Sequence, residues 1–145
     1  MNEKTAIRVV LDTSVLVAAA RSLNGAAYAI VSRLPEGAFI PAISVSLFEE
    51  YRELLLRPEH RLNRSTHQVE AFLDNLVAFA HLQEVFFLWR PTLPDPDDDL
   101  VLEVAVAAGC KYIVTHNLRH FRGVEEWGVT ALTPGDFLRI LGNNI

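Results

Sequence analysis

The sequence predicts an α/β fold with a mainly parallel central sheet flanked by helices, and three observations carry that prediction. Short apolar, β-branched runs recur along the chain, "IRVVL" being the first. Stretches with helical spacing of apolar residues lie between them. Strands that alternate with helices in this way pair in parallel, because each crossover helix carries the chain back across the sheet. The third observation is size: the chain has 145 residues, 50% hydrophobic and 21% charged, enough to bury one core, so a single domain over residues 1–145 is expected.

Each element has its own local reason. "IRVVL" (residues 7–11) reads as a buried strand. "SVLVAAARSL" then reads as a helix, with Thr13 or Ser14 available as its N-cap. A second helix is expected over residues 26–34, and "GAFIPAIS" suggests a strand near residues 38–41. "SVSLFEEYRELLLRP" is the clearest helix: Ser46 and Glu49 have capping-box spacing, and Pro58 marks its end. Thr66 starts another amphipathic stretch, "THQVEAFLDNLVAFAHL", and "EVFFLWRPTLP" is extended and broken by proline. A largely buried helix is expected over residues 101–108, starting near Asp97 and closed by Gly109. "KYIVT" and "VTALT" are the last strands, and Pro134 opens a C-terminal helix, "PGDFLRIL".

Composition narrows the function classes. Cys110 is the only cysteine, so an intrachain disulfide and a cysteine-cluster zinc site are both excluded. Its apolar surroundings predict a small buried side chain. The formal net charge of −5 argues against a general electrostatic grip on nucleic acid. It leaves room for a nuclease, because bound divalent metals and local arginines reverse the sign at a site. The N-terminal "MNEKTAIRVVLDTSV" has no long apolar run, and no uncharged stretch reaches the roughly 18 residues of a membrane span. The expected address is the cytosol, without a membrane partner.

The acidic residues carry the chemistry. In "TLPDPDDDLVLEVAVAAG", Asp95, Asp97, Asp98 and Asp99 crowd within five positions. Crowded carboxylates repel, and burying one costs several kcal/mol without a cation or donor. They favour a helix N-terminus by about 0.3–1 kcal/mol each, which is the plain structural reading of the cluster. Helical spacing sorts them further: Asp98 projects with Leu102 and Ala105 toward the packed side, while Asp99 and Glu103 define a polar, solvated side. Asp97 sits at the helix start, where it can cap or assist.

Elsewhere, Asp12 follows the first strand at its carboxyl end, where α/β sheets gather functional groups, although it could instead cap the next helix. Glu49 and Glu53 fall opposite the apolar face of their helix, whereas Glu50 borders it beside Leu54 and can look into a cleft. Thr115, His116 and Asn117 lie just past "KYIV". The chain is thus expected to bring Asp12, Glu50, Asp98 and Asn117 to one sheet edge. Hard oxygen ligands of this kind suit Mg²⁺ or Mn²⁺, which can activate a water and steady a developing phosphodiester charge.

These segments together resemble the PIN-domain family, in particular the VapC-like toxin components of toxin–antitoxin systems. The resemblance runs from about Val9 to Leu141. "VVLDTSVLVAA" is similar to the family's opening strand, whose acidic position falls on Asp12; "SVSLFEEYRELLLRP" places the family glutamate on Glu50. "DPDDDLVLEVAVAAGCKYIVTHNLRHF" resembles the long downstream signature, with its principal aspartate on Asp98 and Asp97 a close rival. The chain departs from the pattern in three places: Ser14 stands where asparagine is frequent, Asn117 where aspartate is frequent, and His120 where aspartate is also common. Three core carboxylates remain.

The resemblance implies a metal-dependent endoribonuclease, with Asp12, Glu50, Asp98 and Asp97 holding Mg²⁺ or Mn²⁺. A water deprotonated by a carboxylate would attack the RNA phosphate. Thr13, Ser14, Ser44 and Thr115 are candidates to position water or phosphate. A cognate antitoxin and a homodimer are the implied partners.

Other readings remain open. His116 and His120 have zinc-like spacing but no evident third ligand. The basic runs "RPEHRLNR" and Arg119 with Arg122 suit RNA phosphates or solvated helix ends equally. Phe79, Phe86, Phe87 and Trp89 are expected in the core, with a partner surface as the alternative. A non-catalytic PIN-like module that binds RNA or protein is the competing function. A phosphatase fits poorly, since "LDTSV" lacks a second aspartate two residues on; a receiver-like domain lacks its paired acids.

Overall fold

β1 (Ile7–Leu11) lies at the centre of the sheet because its residues Val9, Val10 and Leu11 are almost wholly buried. The computed structural model describes residues 6–85 and 93–142. From β1 the chain enters α1 (Thr13–Arg21) and α2 (Ala26–Val31), then β2 (Phe39–Ile43). Three helices follow, α3 (Val45–Leu56), α4 (Pro58–Arg61) and α5 (Thr66–Ala78), before the short β3 (His81–Leu82). α6 (Pro96–Ala107), β4 (Tyr112–Val114), β5 (Thr130–Leu132) and α7 (Pro134–Ile140) complete the described elements.

The sheet order is β3-β2-β1-β4-β5, and every pair is parallel. Val9 of β1 stands opposite Pro41 of β2 on one side and Tyr112 of β4 on the other. The strands proceed outward from β1 to β3, then resume on its other flank at β4. The strand order therefore reverses between β1 and β4, and the crevice beyond their carboxyl ends is where such sheets bind ligands. Asp12 and Thr115 are the first residues past those two ends.

Several boundaries differ from the sequence expectation. The second helix stops at Val31; a 3-10 turn over Leu34–Glu36 follows, and Gly37 closes it at φ 76. α3 is capped by Ser44, whose hydroxyl accepts the Leu47 N–H at 3.1 Å, not by the Ser46/Glu49 box. The true capping box is Ser65 with Gln68, one residue before the expected helix start at Thr66. That helix ends at Ala78, since the chain must straighten for His81 and Leu82 to join the edge of β2. Pro58 ends α3 but also opens α4 from its first turn, where its missing N–H has no partner to lose.

α6 corrects the largest expectation. Asp99 and Glu103 were expected on a solvated side, yet both are buried, at 8% and 6% exposure. Val101, Leu102, Val104 and Ala105 make this helix apolar nearly all round, and it packs on both the sheet and α3. Any carboxylate on it therefore meets protein. Asp99 is matched there by the Leu93 N–H, which donates to its Oδ1 at 3.1 Å.

Phe79, expected in the core, is exposed at the C-cap of α5. Phe86, Phe87 and Trp89, like most of "EVFFLWRPTLP", lie outside the described residues. Cys110 is buried as expected, and burial pushes its thiol up to about 12. No single described helix is long and apolar enough to cross a membrane.

Candidate active site

Asp12 occupies the N-cap position of α1, yet its side chain makes no capping bond. Two hydroxyls claim its Oδ2 instead: Ser14 Oγ donates at 2.7 Å and Thr115 Oγ1 at 2.8 Å. Each hydroxyl is itself anchored, since Ser14 Oγ accepts the His116 N–H at 3.2 Å and Thr115 Oγ1 accepts the Asn117 N–H at 2.9 Å. The Asp12 N–H meets the Val114 carbonyl at 2.9 Å. One carboxylate oxygen is thus fixed across the β1–β4 junction by residues about a hundred positions apart in sequence, while no described protein donor is recorded for the other. Asp12 is only 7% exposed.

Glu50 reaches the same place from α3. Its neighbour Tyr51 is fully buried, and the Tyr51 hydroxyl donates to the Leu11 carbonyl at 2.5 Å. That bond pins α3 to the last residue of β1. One residue earlier on the helix, about 100° round, Glu50 faces the cleft half-buried, while Glu49 and Glu53 are exposed as expected.

α6 delivers the third acid. Asp95 is its N-cap and accepts the Asp97 N–H at 2.9 Å. Asp98 is buried on the first turn, and His120 Nδ1 lies 3.3 Å from its Oδ2. Asp12, Glu50, Asp95, Asp97, Asp98 and Asn117 line one cleft of about 460 Å³, together with Thr13 and Ser14.

The electrostatics of this cleft are unfavourable on their own. Burial first, then the charge of Asp12, pushes Asp98 up to about 6, with His120 opposing. Burial and then Asp97 and Glu53 push Glu50 up to about 7, against the pull of Arg57. Both shifts arise first because the carboxyls are taken out of water, and then because further carboxylates lie near without enough positive charge. Among the described residues no three His, Cys, Asp or Glu side chains form a ready-made metal-binding group. The donor set is nonetheless all hard oxygen, the type that Mg²⁺ and Mn²⁺ take while keeping several waters.

The remaining sequence candidates separate. Thr13 and Ser14 line the cleft. Thr115 is buried behind Asp12 and holds it. Ser44 does not reach the cleft: its hydroxyl caps α3, and it lines a larger cavity of about 890 Å³ on the opposite face of that helix. His116 contributes its backbone N–H and is exposed. His120 pairs with Asp98 instead of forming a zinc site with His116.

Sequence reasoning gave no cleft role to Asp95 or Arg21 and weighed His60 only within the basic run "RPEHRLNR"; all three line the cleft. Asp95 was legible, since "DPDDD" offers an N-cap before a proline at N1. Arg21 and His60 carried no such signal, because α1 and α4 meet only in the folded chain.

The family model described as a PIN domain matches residues 8–119, a span holding Asp12, Glu50, Asp97, Asp98 and Asn117. No curated protein matches the chain. With an all-parallel sheet of five strands, acids gathered at its strand-order reversal and a family match over most of its length, this chain belongs to the PIN-domain family, whose members are generally nucleases.

Proposed function

We propose that the protein is a metal-dependent endoribonuclease that hydrolyses phosphodiesters of single-stranded RNA, acting as the toxin of a toxin–antitoxin pair. The observation that carries the reading is the shared cleft of Asp12, Glu50 and Asp98, drawn from three distant segments. Such expense is hard to account for as fold stabilisation, since burial raises both Glu50 and Asp98, and neighbouring carboxylates, Asp97 for the first and Asp12 for the second, raise them further.

Asp12, Glu50 and Asp98, assisted by Asp97, would hold Mg²⁺ or Mn²⁺. The bound ion would polarise the phosphoryl oxygen and lower the pKa of a water. Ser14 and Thr115 keep Asp12 Oδ2 oriented, so its carboxylate pays little reorganisation when charge develops. Glu50 reaches the cleft from α3 and would accept the proton of the attacking water at an Oε. Asn117 lines the cleft as a neutral polar group.

The toxin role, the cognate antitoxin and the homodimer rest on the sequence resemblance. Induced expression in a bacterial host, with and without any small reading frame found beside the gene, tests them: growth arrest relieved by such a neighbour supports the pair, and unaffected growth removes it. For the chemistry, a mixed single-stranded RNA pool is incubated with Mg²⁺, Mn²⁺ or EDTA, comparing wild type with Asp12→Ala and Asp98→Ala. Cleavage that needs metal and both aspartates supports the nuclease. Intact RNA from folded, antitoxin-free wild type leaves a binding module.

A further inference from the structure

Beside the acidic cleft lies a smaller cavity of about 230 Å³, and His60 lines both. We propose that this second cavity is a subsite for the nucleotide flanking the scissile one, holding its phosphate on Arg61 and Arg64 and its unpaired base against Tyr28. The proposal rests on the RNA-cleaving reading of the acidic cleft and extends it along the strand.

Charge is the first argument. The cleft is lined by carboxylates, whereas the adjoining cavity is lined by Arg61, Arg64 and His60 and by no carboxylate. A strand whose scissile phosphate is drawn to a metal among acids needs its next phosphate on cations, and guanidinium forks suit phosphate oxygens. Arg21 donates to the Glu59 carbonyl at 3.4 Å and so ties α4, which carries His60 and Arg61, to the far end of α1. α1 starts beside Asp12, and nine residues of helix place that far end about 13 Å away. One extended strand can therefore visit both places; one phosphate cannot.

The walls give the second argument. Tyr28 is exposed and Phe72 half-buried at the cavity, and an aromatic face next to arginines is the usual platform for an unstacked base. The volume is below the roughly 300 Å³ of drug-sized pockets, which suits one base rather than a folded peptide.

Two local features point the same way. His60 Nδ1 and Arg61 Nε are enclosed without a hydrogen-bond partner among the described residues. A buried polar atom left so is unfavourable, and an incoming acceptor would satisfy Arg61 Nε. Between Arg61 and Arg64, Leu62 adopts φ 58 and ψ −125, a conformation L side chains rarely take, with its side chain exposed. Strain of this kind tends to be kept where a loop must present neighbouring groups.

The test is fluorescence anisotropy of a short labelled single-stranded RNA, and of the same RNA annealed to its complement, across a salt series in EDTA. The full chain is compared with Arg61→Gln/Arg64→Gln, with the milder Arg64→Gln, with Tyr28→Ala, and with Arg52→Gln on the outer face of α3. Thermal melts establish that each variant is folded. The double variant should bind more weakly, with a log K against log salt slope shallower by about 0.7, the value for one lost phosphate contact. Tyr28→Ala should weaken single-strand binding on the order of tenfold and leave that slope unchanged. Arg52→Gln should move neither.

A double variant no weaker than Arg52→Gln, or a duplex bound as tightly as the single strand, overturns the subsite. So does loss of a co-purified protein partner with RNA binding intact, which would mark a protein-docking surface. Cleavage assays with Mg²⁺ or Mn²⁺ separate the two readings. If the double variant cuts RNA with the wild-type KM, the subsite falls and the nuclease stands. If wild type binds RNA through both arginines yet never cuts it, the binding track stands and the nuclease falls.

Discussion

Helix α6 carries two sets of buried acids, and they are buried for opposite reasons. Asp99 turns toward Leu93 and accepts its backbone N–H, while Glu103 lies on the same side at the larger cavity. Asp98, one residue before Asp99, turns into the cleft shared with Asp12 and Glu50, where burial and then the charge of Asp12 raise its pKa. On this helix, a carboxylate that meets a buried backbone donor and no other acid is part of the scaffold. One that meets other carboxylates is unfavourable for the scaffold and needs an outside cation to balance it. The contrast distinguishes a structural acid from a functional one without reference to exposure, since Asp98 and Asp99 are each 8% exposed.

The contrast breaks most visibly under substitution. Asp98→Ala should lower RNA cleavage on the order of 10²-fold or more, with thermal stability unchanged or raised, because it removes a carboxylate strained by burial and by the charge of Asp12. Asp99→Ala should do the reverse, losing about 1–3 kcal/mol in denaturant unfolding because the Leu93 N–H is left buried. Its cleavage per folded molecule should stay near wild type. If Asp98→Ala destabilises the protein as much as Asp99→Ala does, the distinction between the two faces is wrong.

Thr115→Val sharpens the comparison from behind the cleft. It keeps the shape but removes one of two donors on Asp12 Oδ2, so divalent-ion affinity or cleavage should fall about tenfold, as read by metal titration. Tyr51→Phe removes the bond that pins α3 to Leu11 and should cost about 1 kcal/mol, with a smaller loss of cleavage through Glu50.

The smallest effect is in pH. Asp98 and Glu50 have folded pKa values of about 6 and about 7, above their ordinary 3.8 and 4.5. The folded state therefore binds more protons than the unfolded one across that window. The contribution of these two groups to stability is full below about pH 4 and is lost as pH rises through 6 and 7. Solvent at the open cleft screens each contribution to less than about 1 kcal/mol. Asp98→Asn and Glu50→Gln should flatten the pH dependence of the melting temperature. Added Mg²⁺ should raise the wild-type melting temperature most at neutral pH, where the carboxylates are charged.

Residue patterns made much of this legible. β1, α3, α6 and β4 followed from short β-branched runs, proline and glycine punctuation, and helical spacing. Glu50 was separated from Glu49 and Glu53 by angle alone, because α3 has one clear apolar face. The same method failed on Asp99 and Glu103, since α6 is packed from several sides and a two-sided pattern no longer applies. Ser44 was ambiguous for another reason: a serine before a helix can cap it or face a ligand, and the Leu47 N–H claimed it.

By itself the sequence determined the α/β class and which segments carry acids at strand ends, because these depend on neighbours a few residues apart. The tertiary structure alone decided which face of α6 turns into the cleft and that Ser14 and Thr115 clamp Asp12 across the β1–β4 junction. It also placed Arg21 and His60 of separate helices on the rim of the cleft. Those relations join residues far apart in the chain, and only the packing of helices onto a closed sheet order brings such groups within hydrogen-bonding distance.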